Sequence, residues 1–193
     1  MYKRKIKYKH MGIFDFFKSK NKEESSFDPL NIKVEDLKKG DLFDYDLETW
    51  IVKEEFEYDW GNEVFTKELL IEQGGNELTL SIDVEDGLEL TIQKAVKIRK
   101  LNEYFVDHLK EKQEPLKKIE FEGVNYYLNS KNYGYYRNVS TNAEGEECIS
   151  WDFYNDNEDQ ILSIEQWSEE EFEASVGKVI TSRDISNILP SAK

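Results

Sequence analysis

The sequence predicts a mainly β fold, two related antiparallel meanders joined by one helix, each meander of a size to close as a small SH3-like barrel. Three observations predict it. Runs of alternating apolar and polar residues are divided by hairpin signals at Gly74-Gly75-Asn76 and Asp86-Gly87. Leu101, Tyr104, Phe105, His108 and Leu109 recur at the spacing of an amphipathic helical stripe that must end before Pro115. The stretch from Asn155 to Gly177 has an echo 82 positions earlier, where Leu80-Ser81-Ile82 matches Leu162-Ser163-Ile164 and Leu90 matches Phe172. At that offset Glu68–Ile98 pairs with Ser150–Ile180 without a gap. The expected boundaries are an N-terminal segment and linker at 1–29, a first meander at 30–100, a connecting helix at 101–115 and a second meander at 116–193.

Composition sets the class of protein. Charged residues make up 35% of the 193 and hydrophobic residues 38%, yet 13% are aromatic, enough bulk per residue to build a core. Net charge is −15. Residues 1–22 carry eight basic side chains against Asp15, so the remainder bears −22. An acidic body repels phosphates, which argues against a nucleic-acid partner. Cys148 is the single cysteine, no apolar run has membrane-spanning length, and residues 1–10 lack a signal-peptide core. The expected location is cytoplasmic, at the inner membrane face.

That face is suggested by the N-terminal segment. Ile13, Phe14, Phe16 and Phe17 stand beside Lys18, Lys20 and Lys22. Rings entering the acyl boundary and ammoniums meeting anionic headgroups suit weak peripheral contact, and folding back onto the body is the competing reading. Phe16 occupies the position where a myristoylation motif from Gly12 needs Ser or Thr. Met11 reads as a natural start, with the ten residues before it as an extension. Residues 19–31 form a polar linker closed by Asp28-Pro29.

The meanders follow. Val34 to Lys38 reads as one helical turn, and Gly40-Asp41 turns into a strand at Leu42. Trp50, Val52, Phe56 and Tyr58 share even spacing, which suits one buried sheet face, although Glu54 interrupts it. Phe65, Leu69 and Ile71 mark a third strand. Leu78, Leu80, Ile82, Val84, Leu88, Leu90 and Ile92 are expected to point inward, with Thr79, Ser81, Asp83 and Glu85 outward. The second half runs from Ile119 through the tyrosine-rich strand at Tyr126–Tyr136 to Ile149–Tyr154 and the 155–177 hairpin. The end, TSRDISNILP, reads as a capped turn stopped by Pro190.

No catalytic constellation emerges. His10 and His108 are far apart and lack ligand-spaced partners. Cys148 follows Glu146 and Glu147 and has no basic neighbour in sequence, which disfavours a thiolate. Asn155, Asn157 and Asp159 alternate as calcium ligands can, but an EF-hand's glycine and distal glutamate are missing, so a plain turn is the simpler reading. No cofactor or metal is implied. The distinctive chemistry is the stretch Asn138 to Gly177, with twelve carboxylates and no Lys or Arg. Glu165, Trp167, Glu169, Glu170 and Glu171 form the expected face for a cationic partner, a basic protein segment or a polyamine, with Trp151, Trp167 and Tyr154 able to offer ring faces unless they fill a core.

Leu37-x-x-Gly40-Asp41, Trp50-x-Val52, Tyr58-x-Trp60, Leu162-Ser163-Ile164-Glu165-x-Trp167, Gly177 and Ile188-Leu189-Pro190, in this order, resemble the bacterial domain of unknown function 4178. The resemblance spans roughly Leu30 to Pro190. It implies no activity or catalytic residues; the genes its members often neighbour hint at membrane stress. The expected function is a non-enzymatic binding or scaffold module. The alternative is an enzyme or small-ligand-binding domain with its site between the two meanders.

Overall fold

Pairing of the strand edges decides the architecture. In the computed structural model, which describes residues 32–141 and 145–191, eleven strands form one antiparallel sheet. They are β1 (Leu42–Tyr45), β2 (Glu48–Gly61), β3 (Val64–Gln73), β4 (Asn76–Asp83), β5 (Glu89–Val96), β6 (Lys118–Phe121), β7 (Val124–Asn138), β8 (Glu146–Tyr154), β9 (Gln160–Gln166), β10 (Phe172–Ile180) and β11 (Ile185–Leu189). The meander β2–β5 and the meander β7–β10 do not close separately. A four-stranded meander leaves two edges unpaired. Here β5 pairs with β10 and β2 with β7, so both meanders share one closed eight-stranded barrel.

Each closing seam carries a glycine where the backbones come close. Gly177 on β10 lies opposite Gln93 on β5, and a Cβ there would overlap the Ile92 carbonyl oxygen and stand 2.6 Å from Gln93 Cα. At the other seam a Cβ on Gly134 would stand 2.6 Å from the Asp59 carbonyl oxygen and from the Trp60 ring. Strand glycines of this kind mark close backbone approach.

The apolar faces point out of this barrel, not into it. Leu69, Ile71, Leu80, Ile82, Leu90 and Ile92 pack against Val34, Leu37, Phe43 and Ile185, which come from a 3-10 turn (Val34–Asp36), β1 and β11. Trp151, Phe153, Leu162 and Ile164 pack against Phe105 and Leu109 of helix α1 (Phe105–Lys112) and Ile119 and Phe121 of β6. The alternation was legible, but its inward sense was not: two flanking cores take the apolar residues, so the polar residues face the barrel interior. Trp151 is core, as a large ring usually is, at 0% exposure.

Two bulges explain how one long strand serves both a core and the barrel wall. The β2–β3 register shifts between Val52 and Glu54, so Trp50 and Val52 face the first flanking core while Phe56 and Tyr58 face the barrel interior. The even-spaced set is therefore split between two faces, and Glu54 was the sign of the inserted residue. In β7 the shift lies between Leu128 and Ser130, leaving Tyr126 and Leu128 on the second core and Asn132 and Tyr136 inside the barrel.

Local signals account for most of the turns. Gly74 and Gly75 both take positive φ, as a tight hairpin requires. The β1–β2 turn uses Asp46 and Leu47 with positive φ, and no glycine or asparagine announces it. The helix begins only at Phe105, after a separate 3-10 turn at Ile98–Lys100; Tyr104, expected on the buried stripe, stands just ahead of it with non-helical backbone and is 67% exposed. The capped turn at Ser182–Asp184 continues into β11, which pairs with β1. Asp41, 1% exposed, fastens this end by accepting hydrogen bonds from the Ser191 and Lys38 N–H groups, at 2.8 and 3.1 Å.

Candidate functional site

Strand alternation lines a hollow of about 810 Å³ inside the barrel with hydroxyl, amide and carboxyl groups set among rings and apolar side chains such as Leu70, Ile161 and Phe172. Thr66, Thr91, Gln93, Ser150 and Ser163 are buried there, and Ser81 faces the same space. They come from both meanders. Neighbouring residues on the same strands, Leu80 beside Ser81 and Leu162 beside Ser163, are wholly buried in the flanking cores.

Carboxyl groups and phenols meet across this hollow. Tyr58 of β2 donates its hydroxyl to Glu165 of β9, and Tyr136 of β7 donates to Glu68 of β3 at 3.0 Å. Further along, Ser163 and Ser130 donate to Asp152 at 2.7 and 3.0 Å, and Tyr154 donates to Glu89 at 2.8 Å. Trp60 Nε1 donates to Thr66, whose hydroxyl donates to Asp83. Glu89 and Glu173, both exposed, stand toward the rims.

The electrostatics follow from this geometry. Glu68 and Glu165 are half-buried and both line the hollow, where water screens them less than at the outer surface. Burial pushes Glu68 up to about 7, with the Tyr136 and Tyr58 hydroxyls opposing and Glu173 adding to the rise. Burial pushes Glu165 up to about 8, reinforced by Glu68, Glu173 and Asp152 and opposed by the Tyr58 hydroxyl. Burial likewise raises Asp152 and the phenols of Tyr58, Tyr136 and Tyr154. Among the described residues no Lys or Arg forms an ion pair with Glu68, Glu165, Glu173, Asp152, Glu89 or Asp83. The basic side chains in the wall, Lys97 and Arg99, lie beyond the end of β5.

Aromatic rings line one side. Tyr58 stacks on Trp60 at 4.9 Å, Phe56 on Tyr136 at 5.0 Å, and Tyr136 meets Tyr58 and Trp167 at 4.6 and 5.1 Å. Trp60 and Trp167 also line an adjoining recess of about 550 Å³ with Gly134 and Cys148. The Cys148 thiol is pushed up to about 12 by burial, then by Glu165 and Glu68, so the sequence neighbours Glu146 and Glu147 are not the cause.

The expected cationic-partner face is divided. Glu165 and Trp167 enter the hollow, whereas Glu169, Glu170 and Glu171 sit exposed in the β9–β10 turn, and Glu170 pairs with Lys110 of α1 at 3.5 Å. Tyr154 lines the hollow; Trp151 faces the core, with Lys131 Nζ 5.5 Å from its ring. Glu68, Tyr58, Tyr136 and Asp152 were not singled out as site residues, because only the bulges and seams bring them together. In the Asn155–Asp159 turn the Asn155 amide donates to Asp159 at 2.7 Å and its oxygen accepts the Asp159 N–H. These groups serve the turn itself. Ile13, Phe14, Phe16, Phe17, Lys18 and Lys20 lie outside the described residues. No described helix is long and apolar enough to cross a membrane.

Fold and site together define a closed eight-stranded antiparallel barrel whose hollow carries carboxyl groups, hydroxyls and rings, with apolar cores on its flanks. The chain belongs to the family described as "Domain of unknown function (DUF4178)", whose model matches residues 38–182. It is also 28% identical over 175 residues to an uncharacterized protein of Aquifex aeolicus (strain VF5), covering 91% of this chain and 94% of that protein. No solved structure matches. Several residues that carried the resemblance, Tyr58, Trp60, Ser163, Glu165 and Trp167, line the hollow, and Gly177 closes its wall.

Proposed function

We propose that this domain is a non-enzymatic binding module that holds a small organic ligand inside the barrel, between its two meanders. The observation that carries this reading is the hollow itself. Interiors of small barrels are ordinarily filled by side chains, whereas this one leaves about 810 Å³, the size of a small-molecule site. Its wall mixes ring faces with convergent hydroxyls and carboxyls, the combination that fixes a ligand's orientation.

Two further readings accompany this one. The meanders are copies of one ancestral unit, a view supported by Ser81 and Ser163 at matching positions and by Ser175 donating to Gln93, its counterpart at the 82-residue offset. The aromatic-lysine segment at 13–20 would bring the barrel to the anionic inner face of a membrane.

Ser81→Trp tests the ligand reading by filling the hollow from a residue with no side-chain hydrogen bond of its own in the network described above. A thermal-shift library of small organic molecules should raise the melting temperature of the wild type and leave the filled variant unmoved. Equal responses, or none from the wild type, would remove the reading.

A further inference from the structure

We infer that the ligand is an organic cation, whose ammonium group sits between Glu68 and Glu165 with its carbon body against the rings of Tyr58, Tyr136 and Trp167. The inference rests on the ligand-binding reading above and names the chemistry of its occupant.

Carboxylates alone would not carry it; their setting does. Folded proteins leave buried charges paired. Glu68 and Glu165 project into one hollow from opposite meanders, and their partners are phenols, which donate hydrogen bonds without bringing positive charge. No described lysine or arginine takes the place of a counter-ion. The same place is walled by a chain of four rings, Trp60 on Tyr58, Tyr58 on Tyr136 and Tyr136 on Trp167. Ring faces attract ammonium ions and also accept the attached carbon, which a metal ion lacks. A hydroxyl-rich neutral ligand could use the serines and threonines of the wall, but it would leave the carboxyl pair uncompensated.

The titratable groups around this position are Tyr58, Glu68, Tyr136, Cys148, Asp152 and Glu173, with Asp83, Glu89 and Tyr154 further along the hollow. These are all acids, each contributing negative charge or none; the basic groups of the wall, Lys97 and Arg99, lie beyond the end of β5 and form no ion pair with them. Burial, with repulsion from Glu173 at both and from Glu68 at Glu165, holds Glu68 and Glu165 partly protonated near neutral pH. A cation selects the ionised pair, so its entry expels protons. Affinity therefore rises with pH between about 6 and 9.

The test titrates the full chain by calorimetry with n-butylammonium and tetramethylammonium, with n-butanol as uncharged isostere and potassium as bare cation. At pH 8 an alkylammonium should bind about tenfold more tightly than butanol, the step expected from one charge-assisted contact of about 1.4 kcal/mol. Its affinity should fall about tenfold toward pH 6, and heats in two buffers of different ionisation enthalpy should report proton release. Glu165→Gln and Glu68→Gln should each remove most of the ammonium preference and leave butanol binding in place, with melting curves verifying the fold. Butanol binding as well as the ammonium ions overturns the cation inference and leaves the ligand-binding reading standing. Potassium binding as tightly as both ammonium ions overturns the organic part. Failure of every probe, together with a Ser81→Trp variant that behaves like wild type in the library screen, overturns both.

Discussion

Tyr58 and Tyr136 lie directly opposite each other in the β2–β7 seam, and each gives its hydroxyl to a glutamate from the other meander, Tyr58 to Glu165 and Tyr136 to Glu68. The exchange ties the two halves together through the interior that both enclose. It also places the two most perturbed carboxyl groups beside a cluster of rings. Structure and chemistry therefore meet at one point, where the barrel closes.

Closure depends on the two seam glycines. Gly177→Ala forces a methyl group into the β5 backbone, which cannot yield as a side-chain tip can. We expect a loss of about 3 kcal/mol, the scale of serious overpacking, and Gly134→Ala should behave similarly against the Asp59 carbonyl and the Trp60 ring. Urea unfolding measures this. A loss below about 1 kcal/mol for both variants would mean that the seams are looser than described.

Adjacent residues should differ sharply because one faces a dry core and the next a polar hollow. Leu162→Ala removes a wholly buried side chain from the second flanking core and should cost about 2–5 kcal/mol. Ser163→Ala removes one hydrogen bond to Asp152 and should cost about 1 kcal/mol or less. Thermal or chemical unfolding of the two variants gives the comparison. Similar costs would contradict the assignment of the two faces.

Stability should decline as pH rises, the reverse of the usual behaviour of carboxylates. Glu68 and Glu165, ordinarily near 4.5, are raised to about 7 and about 8 in the folded chain. Between about 4.5 and 8 the folded state thus holds more protons than the unfolded state, and ionisation across that window weakens it. A pKa unit corresponds to about 1.4 kcal/mol, so Glu165→Gln should stabilise the protein by about 1–3 kcal/mol at pH 8 and by little at pH 5. Melting temperatures across this range check the sign. A melting temperature that climbs steadily from pH 5 to 8, unchanged in slope by Glu165→Gln, would refute it.

The sequence made the strands and glycine hairpins legible because period-two alternation and Gly74-Gly75 are local signals. Strand closure was not local. Nothing near Ala95 or Phe56 announces pairing with Ser175 or Asn138, so one shared barrel looked like two. The alternation of Leu80-Ser81-Ile82 identified two faces without saying which was the inside, because the flanking 3-10 turn, β1 and β11 decide that from far along the chain. The bulge after Val52 left one trace, Glu54, and reversed the meaning of the aromatic residues beyond it. Of the site, Glu165 and Trp167 stood out by their place in an unbroken acidic stretch. Glu68 and Asp152 each looked like ordinary polar positions of a strand.

The central claim is that the barrel interior is hollow, reachable and anionic. Ser81→Cys places a thiol on its wall, while the native Cys148 thiol, pushed up to about 12, stays largely unreactive as background. Two methanethiosulfonate reagents of similar size, one carrying an ethylammonium group and one an ethylsulfonate, are then compared on the folded protein at pH 8. The account predicts that both rates exceed the unfolding rate and that the cationic reagent reacts at least about tenfold faster than the anionic one. A thiol that neither reagent modifies before unfolding, or one that both modify equally fast, would contradict it.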